Sequence, residues 1–310
     1  MSITQKISVL FGVKAPDTAV IEVKPAAKHT PIPEEHVFDP MHLRKLLMWV
    51  SATTPNRNLM LIGGMGVGKT SLILQFAARM GIEVYSISCS GKTRFADLVG
   101  TLVIVEDGST KFVDGPLTRA YRNGGIFLAN EITRMDIGEQ MRLVDVLDHH
   151  SRLTIPQTGE ILTAHADFRF GGTGNSGGHG DETGAYAGEK VGSMAFMDRF
   201  LKIEVEGLSH DAEKTLIAKI VGGDVKFAEN MVAFARDCRK AFVGEGGGCR
   251  IDISPRATIM WAKVACEYKV SPGITQPLKD ALTDVVLNGS PKEDREAVLK
   301  LYEKFFKLNE

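Results

Sequence analysis

The chain has 310 residues, enough for about two domains with buried cores, and its composition is that of an ordinary globular protein. A formal net charge of -1 marks neither a nucleic-acid-binding nor a membrane-surface protein, although it leaves room for a local basic stripe. No run approaches the roughly 18 apolar residues of a membrane span or the apolar core of a signal peptide, and the four cysteines lack metal-ligand spacing. We therefore expect a cytoplasmic protein that contacts no membrane.

The N-terminal segment, residues 1 to about 38, contains prolines that exclude a long helix: Pro16, Pro25, Pro31 and Pro33. We expect it to lie as extended chain over the folded body. Asp39-Pro40 then predicts a helix from Met41 to about Ser51, because Asp is a favoured N-cap and Pro suits the first helical turn.

A glycine-rich motif follows at residues 63–70, which read GGMGVGKT and form a complete G-x-x-x-x-G-K-T phosphate loop. An apolar run at 59–62 predicts a buried strand before it, and residues 71–80 predict a helix after it, so a chance glycine-rich turn is disfavoured. Backbone N–H groups of such a loop bind phosphate, while Lys69 reaches the β- and γ-phosphates and the Thr70 hydroxyl ligates Mg²⁺. The predicted ATP-binding residues are Gly63, Gly64, Met65, Gly66, Val67, Gly68, Lys69, Thr70 and Ser71.

Further apolar runs predict the rest of the sheet. Strands are expected at 82–87, 126–129, 168–173 and 202–205, mostly separated by helices, and this alternation favours a parallel sheet with helices on its faces. From Ser209 onward only helices are predicted, at 210–221, 225–243, 254–270, 275–288 and 291–307. We therefore divide the chain into an N-terminal segment (1–38), an α/β nucleotide-binding domain (39–206) and a helical domain (207–310).

The third predicted strand ends in two polar residues, Asn130 and Glu131. ATP hydrolysis needs one acidic group to help hold Mg²⁺ and a second to activate water, and phosphate-loop ATPases carry them as Asp-Glu at such a strand end. Glu131 is the candidate general base and contacts the metal through water. Asn130 can still accept a hydrogen bond from a metal-bound water, but it lacks the charge. It is either a tolerated metal-side residue, the mark of a slow ATPase, or a plain turn residue.

Three further residues fit roles around a nucleotide. Asn175 follows the fourth predicted strand and can position the attacking water, although a Gly-Asn turn is an equally good interpretation. Arg199 precedes the fifth strand, and Arg256 begins a helix after Ser254-Pro255. Arginine stabilises charge on a transferring phosphoryl group, although a single arginine is more often a surface charge.

These motifs, in this order, resemble the AAA+ ATPases, and more narrowly the MoxR branch. Residues 97–100 (DLVG) and 114–117 (DGPL) resemble motifs of that branch, and 152–160 resembles the hairpin inserted into its second helix. Nearly the whole chain resembles the CobS-type ATPase subunits of aerobic cobaltochelatase. The glycine-rich stretch 180–184 with Met197-Asp198-Arg199 and the Ser254-Pro255-Arg256 motif are similar to the CobS type as well.

The resemblance implies an AAA+ three-layer αβα domain followed by a helical lid, and it implies a role for each matching residue. Glu131 is the base and Asn175 is sensor one, Arg199 is a finger that reaches the neighbouring subunit's ATP, and Arg256 is sensor two. A finger acting in trans requires a ring, so a homohexamer is implied. The hairpin at about 152–162 and the loop 177–195 face the pore or a partner, and MoxR ATPases typically pair with a separate von Willebrand A-domain protein.

Three functions remain open on these grounds. The first is an ATP-driven ring that remodels a partner protein, with the motor of a metal chelatase as its narrower form. The second is a DNA translocase, to which Arg152 or Lys190 could contribute, but the near-neutral charge and the lack of an added DNA-binding domain disfavour it. The third is a nucleotide-gated scaffold with slow turnover, suggested by Asn130.

Overall fold

The computed structural model describes residues 2–51, 57–148, 151–176, 193–243 and 251–306. The chain divides into two compact units, the first made of Met1–Gly64 and Lys69–Val205 and the second of Met65–Gly68 and Glu206–Glu310. The glycine-rich stretch 180–184 and most of the predicted loop 177–195 lie outside the described residues. No helix within the described ranges is long and apolar enough to cross a membrane.

The first unit alternates strands and short helices. Its strands are β1 (Ile3–Lys6), β2 (Val20–Val23), β3 (Asn58–Ile62), β4 (Val84–Ser88), β5 (Gly100–Ile104), β6 (Thr110–Asp114), β7 (Gly125–Asn130), β8 (Arg152–Ile155), β9 (Glu160–Thr163), β10 (Phe168–Gly174) and β11 (Leu201–Glu204). Its helices are α1 (Ile7–Phe11), α2 (Pro40–Val50), α3 (Lys69–Met80), α4 (Phe95–Val99), α5 (Pro116–Asn123), α6 (Ile137–Met141), α7 (Val144–Leu147) and α8 (Met194–Met197), with a 3₁₀ turn at Ile132–Arg134.

Five strands form one parallel sheet in the order β11-β3-β10-β7-β4. Parallel neighbours need long crossover connections, and helices supply them between most of these strands. Every residue of β10 is buried, as are all but the last residues of β3 and β7, which is the pattern of a sheet covered on both faces. The predicted α/β fold with a parallel sheet and flanking helices is confirmed.

Helix α2 begins where the sequence predicts. The Asp39 carboxylate accepts hydrogen bonds from the backbone N–H groups of Met41 and His42, both at 2.9 Å, and Pro40 occupies the first helical position. Leu46 and Trp49 of this helix are fully buried. The cap and this apolar face fix the helix that precedes β3.

Two antiparallel hairpins interrupt the strand-helix alternation. β5 and β6 pair between α4 and α5, and β8 and β9 pair between α7 and β10. The hairpin predicted at about 152–162 is therefore present, but its assignment to the second helix is wrong. In chain order, β4 is the second strand of the sheet, and α4 and α5 follow it. The hairpin at Gly100–Asp114 interrupts this helical connection instead. Each hairpin has a turn glycine with positive φ, Gly108 and Gly159, so the turn signals do not distinguish them.

The N-terminal segment is only partly extended. β1 and β2 form an antiparallel pair with α1 between them, which the expectation of extended chain did not include. The buried ring of Phe11 packs edge-on against Phe38 and stacks on Phe76, so an apolar contact rather than periodicity holds the short helix in place. Residues 30–39 are neither helix nor strand, as expected.

The second unit is helical. Its helices are α9 (His210–Ile220), α10 (Val225–Val243), α11 (Pro255–Lys269), α12 (Pro277–Leu282), followed directly by a π-helical turn at Thr283–Leu287, and α13 (Lys292–Phe306). Within it, the fully buried Glu213 carboxylate accepts two hydrogen bonds from Arg239, at 2.6 and 2.9 Å, and Arg239 also donates to the Thr258 hydroxyl. This paired, hydrogen-bonded charge links α9, α10 and α11, and breaking it would leave a charge buried alone.

Candidate functional site

The carboxyl ends of three neighbouring sheet strands meet at one edge of the first unit. Gly174 of β10 is paired with Ile62 of β3, and Gly172 is paired with Ala129 of β7. The residues that follow these strands are therefore brought together, which is where open α/β sheets bind ligands. Of the residues predicted from sequence, this edge gathers Lys69, Thr70, Asn130, Glu131 and Asn175.

The glycine that opens the phosphate loop is required by a close backbone contact. A Cβ atom on Gly63 would lie 2.2 Å from the carbonyl oxygen of Val205, and its φ is +153°. That carbonyl belongs to the residue after β11, whose N–H donates to Ile62 at 2.7 Å. The sheet can continue at this point only because Gly63 has no side chain. Further along the loop, Gly66 and Gly68 also have positive φ.

Lys69 is buried and its ammonium is fully engaged. It donates to the carbonyl oxygens of Gly63 and Gly64, at 2.6 and 2.7 Å, and to the Asn175 side-chain oxygen at 2.9 Å. The predicted phosphate-binding lysine and the predicted sensor residue are thus in direct contact. Phosphate oxygens are stronger partners for an ammonium group than neutral carbonyls, so these bonds can be exchanged for a nucleotide.

Thr70 and Asn130 face each other across the site. The Thr70 hydroxyl donates to the Asn130 side-chain oxygen at 2.8 Å, which leaves the hydroxyl lone pairs and the second lone pair of the amide oxygen as acceptors. Oxygen donors of this kind suit Mg²⁺, which keeps several waters and takes its remaining ligands from phosphates. Within the described ranges, no group of three or more His, Cys, Asp or Glu residues could hold a metal ion alone. The donor set therefore fits a magnesium ion that enters with a nucleotide.

Glu131 has a fixed backbone and a half-buried carboxylate. Its φ is +54°, uncommon for a residue other than glycine, and its N–H donates to the Thr173 hydroxyl at 2.9 Å. Its carboxylate accepts a hydrogen bond from Arg134 at 2.7 Å. Burial and, secondarily, the negative charge of Glu131 raise the pKa of the neighbouring Cys89 to about 12, so the Cys89 thiol stays neutral beside the carboxylate.

Arg199 lies at the other end of the sheet. It precedes β11, whose first residue is paired with Leu59 near the beginning of β3, whereas Lys69 follows the end of β3. Its guanidinium donates to the Ala195 carbonyl and lies 4.0 Å from the Asp148 carboxylate. Arg199 is therefore remote from Lys69 of its own chain.

Arg256 belongs to the second unit. It is an exposed residue in the first turn of α11, a helix capped by the Ser254 hydroxyl, which accepts from the N–H of Ala257 at 3.3 Å. The structure describes the residue in its own unit, and its role as sensor two stays a prediction.

Three residues near the site were missed from sequence. Thr173 holds the Glu131 backbone and Arg134 holds its carboxylate, as described above. His36 of the N-terminal segment lies with Nδ1 3.3 Å from the hydroxyl of Ser71, a predicted ATP-binding residue, and burial followed by the charge of Arg79 lowers the His36 pKa to about 4. Only Arg134 carried a sequence signal, because it follows the candidate base by three residues.

Comparison with known proteins agrees with this geometry. Residues 58–200 match the AAA domain of the dynein-related subfamily. CobS, a subunit of aerobic cobaltochelatase from Sinorhizobium sp, is 32% identical over 219 residues, which cover 68% of this chain and 65% of that protein. CbbQ from Hydrogenophilus thermoluteolus is 27% identical over 177 residues, covering 57% of this chain and 63% of that protein. The chain thus spans slightly less than two thirds of the length of each of these relatives.

Among solved structures, the RuvB Holliday junction branch migration motor of Thermotoga maritima aligns with a TM-score of 0.48 and 15% identity over 89% of this chain and 72% of that one. The matched domain and the parallel sheet define a class: residues 58–200 form a domain of the AAA type. The similarity to CobS and CbbQ confirms the resemblance to MoxR-type ATPases found in the motifs of this chain.

Proposed function

We propose that this chain is the ATP-hydrolysing subunit of a ring-shaped motor that remodels a partner protein. The observation that carries the proposal is the convergence of Lys69, Thr70, Asn130, Glu131 and Asn175 at one sheet edge. Each residue has the chemistry that phosphoryl transfer from ATP to water requires: a cation for the phosphates, oxygen donors beside a metal, and a carboxylate base.

The Thr70 hydroxyl would hold the magnesium ion of the proposed Mg·ATP complex, and Asn130 and Glu131 would contact it through water. Such an ion would supply positive charge that offsets the charge of the phosphates. Lys69 exchanges the Gly63 and Gly64 carbonyls for phosphate oxygens. Asn175, released from Lys69, is left to orient the attacking water, and Glu131 accepts the proton of that water.

Arg199 acts from a neighbouring subunit in this proposal. The pairing of Leu201 with Leu59 puts Arg199 at the amino end of the sheet, so it is remote from its own Lys69. An arginine there can stabilise the transition-state charge only in the active site of another subunit. We therefore propose a homo-oligomeric ring, taken as a hexamer from the family resemblance.

The partner is proposed from the relatives. One is named as a subunit of aerobic cobaltochelatase, and MoxR ATPases typically work with a separate von Willebrand A-domain protein. We propose such a protein as the partner and keep a metal chelatase-type complex as the narrower possibility. No group of three or more His, Cys, Asp or Glu side chains that could hold a metal ion occurs within the described ranges, so we propose that the chain supplies the motor and not the metal-insertion site.

The test is the Glu131→Gln variant. Loss of a general base lowers turnover by about 10²- to 10⁴-fold, while the phosphate loop still binds ATP. We expect Glu131→Gln to retain ATP binding and oligomerisation and to lose ATPase activity, measured by phosphate release and by binding of a fluorescent ATP analogue. Glu106→Gln, an exposed glutamate between β5 and β6, is the matched control and should be active. Normal turnover by Glu131→Gln would show that Glu131 is not the base.

Asn130 favours a second candidate, a nucleotide-gated scaffold that binds ATP and turns it over slowly. An amide in place of a carboxylate removes one negative charge beside the metal. The two candidates predict different effects on ATPase activity when an acidic residue is placed at position 130.

A further inference from the structure

The candidate base is engaged by an arginine from its own chain. Glu131 precedes the 3₁₀ turn Ile132–Arg134, in which side chains three residues apart lie on the same side. The Arg134 guanidinium donates to one oxygen of the Glu131 carboxylate at 2.7 Å, and the two side chains are 36% and 42% exposed. The pair therefore lies at the edge of the site and not in the core.

The backbone around Glu131 is fixed on both sides. The Thr173 hydroxyl accepts from the Glu131 N–H at 2.9 Å, the Glu131 carbonyl accepts from the Arg134 N–H at 3.0 Å, and the preceding Asn130 carbonyl accepts from Cys89 at 2.7 Å. Because these bonds hold the main chain, the carboxylate can change position only by rotating about its side-chain bonds. Rotation away from Arg134 costs one charge-assisted hydrogen bond.

We propose that Arg134 is a positioning residue that holds Glu131 in a resting orientation, and that breaking this ion pair limits basal ATP turnover. The proposal rests on the role of Glu131 given under the proposed function. The guanidinium occupies one of the two carboxylate oxygens, so that oxygen cannot turn towards an attacking water while the pair persists. Nucleotide or partner binding that draws Arg134 away would free the base. Arg134 does not touch the reacting atoms, so it acts through Glu131.

The experiment compares steady-state ATPase activity of the full chain with Arg134→Gln and Arg134→Lys. Removing a partly exposed ion pair of this kind should raise kcat about two- to fivefold and leave KM unchanged. Arg134→Lys keeps the charge and should retain most of the restraint. Arg142→Gln is the matched control, because Arg142 faces Glu139 at the same i,i+3 spacing, with nitrogen and oxygen 3.8 Å apart, and is not part of the site.

Salt provides a readout that a merely structural role would not change. Both side chains are partly exposed, so raising ionic strength from about 0.05 to 0.5 M screens their attraction. The kcat ratio of Arg134→Gln to the parent protein should therefore fall towards one at high salt, with ring assembly checked by light scattering at each point. Should Arg134→Gln fail to fold, the parent salt series decides alone. A rising kcat supports the proposed restraint of Glu131 by Arg134, hereafter the latch, and a flat or falling kcat overturns it.

The outcomes separate the latch from the proposed function. If the parent protein hydrolyses ATP and Glu131→Gln does not, yet Arg134→Gln is equal to or slower than the parent, the latch is wrong and the base assignment stands. If the parent binds ATP without hydrolysing it and Arg134→Gln is equally inactive, both ideas fail. An inactive parent that is activated by Arg134→Gln supports the latch in its strongest form.

Discussion

Asn130 is the residue at which this chain departs from the Asp-Glu pattern of its family. Its side-chain oxygen bonds the Thr70 hydroxyl at 2.8 Å, so the position keeps the geometry of a metal-side residue without the charge. We expect the missing charge to lower the affinity for the metal and not for ATP, because Lys69 and the loop amides hold the phosphates in the proposed complex. The family pattern has Asp at this position, and nothing in the sequence explains the exchange.

The Asn130→Asp substitution tests this view. A charged acceptor makes hydrogen bonds about twice as strong as a neutral one, so the Mg²⁺ concentration for half-maximal ATPase activity should fall about tenfold. If the parent is a working motor, kcat at saturating Mg²⁺ should change by less than about twofold. Binding of the ATP analogue in EDTA is the control and should be unaffected. A sharp rise of kcat at saturating Mg²⁺ would favour the slow scaffold instead.

At the scale of elements, sequence predicted what depends on local chemistry. Capping residues, apolar runs and prolines determine three features: the Asp39 cap, the strands that end before Gly63 and at Asn130, and the helices of the second unit. Long-range contacts were missed. The α1 helix depends on Phe11 packing against Phe76, and the contact between Thr173 and Glu131 depends on the pairing of β10 with β7. Neither leaves a pattern in the neighbouring residues.

The same limit explains the misplaced insert. Gly108 and Gly159 give both hairpins similar turn signals, and only the strand order shows which hairpin interrupts the connection between β4 and β7. That Lys69, Asn130, Glu131 and Asn175 lie at one sheet edge could be predicted, because each comes at or after the end of an apolar strand; their roles stay predictions. Their mutual distances could not be predicted, since these depend on strand register.

The contact between the N-terminal segment and helix α3 predicts a pH dependence of stability. His36 packs against Phe38 and faces Ser71 of α3, and its pKa is lowered from 6.5 to about 4 by burial and by Arg79. The unfolded chain therefore binds a proton between pH 6.5 and 4 that the folded chain does not. The contribution of neutral His36 to the free energy of unfolding is fully present above pH 6.5. It is lost, by up to about 3 kcal/mol, as the pH falls towards 4.

Urea unfolding of the parent and of His36→Asn at pH 7.5 and pH 4.5 measures this contribution. The parent should lose more stability than the variant over that interval, since other groups titrate equally in both. His165→Asn, which removes a half-exposed histidine, is the control and should follow the parent. Equal losses in the parent and in His36→Asn would contradict the assignment.

At the scale of the whole molecule, the proposed ATPase activity depends on subunits that complete one another. Lys69 follows the carboxyl end of β3, while Arg199 lies at the opposite end of the same sheet, beside Asp148. One chain therefore contains both groups but cannot bring them to one nucleotide. In the proposed ring, the Arg199 of one subunit lies against the ATP of the next, so that hydrolysis is a property of the interface.

The most direct test mixes two inactive variants. Lys69→Ala cannot bind phosphate but keeps its finger, and Arg199→Ala binds ATP but lacks the finger, so each should be inactive alone. In rings assembled from equal amounts of the two variants, about a quarter of the interfaces combine the intact ATP site of an Arg199→Ala subunit with the intact Arg199 of a Lys69→Ala neighbour. We expect about that fraction of the parent ATPase rate to return on mixing. Mixed rings that form, by light scattering, yet stay as inactive as the separate variants would contradict a finger acting between subunits.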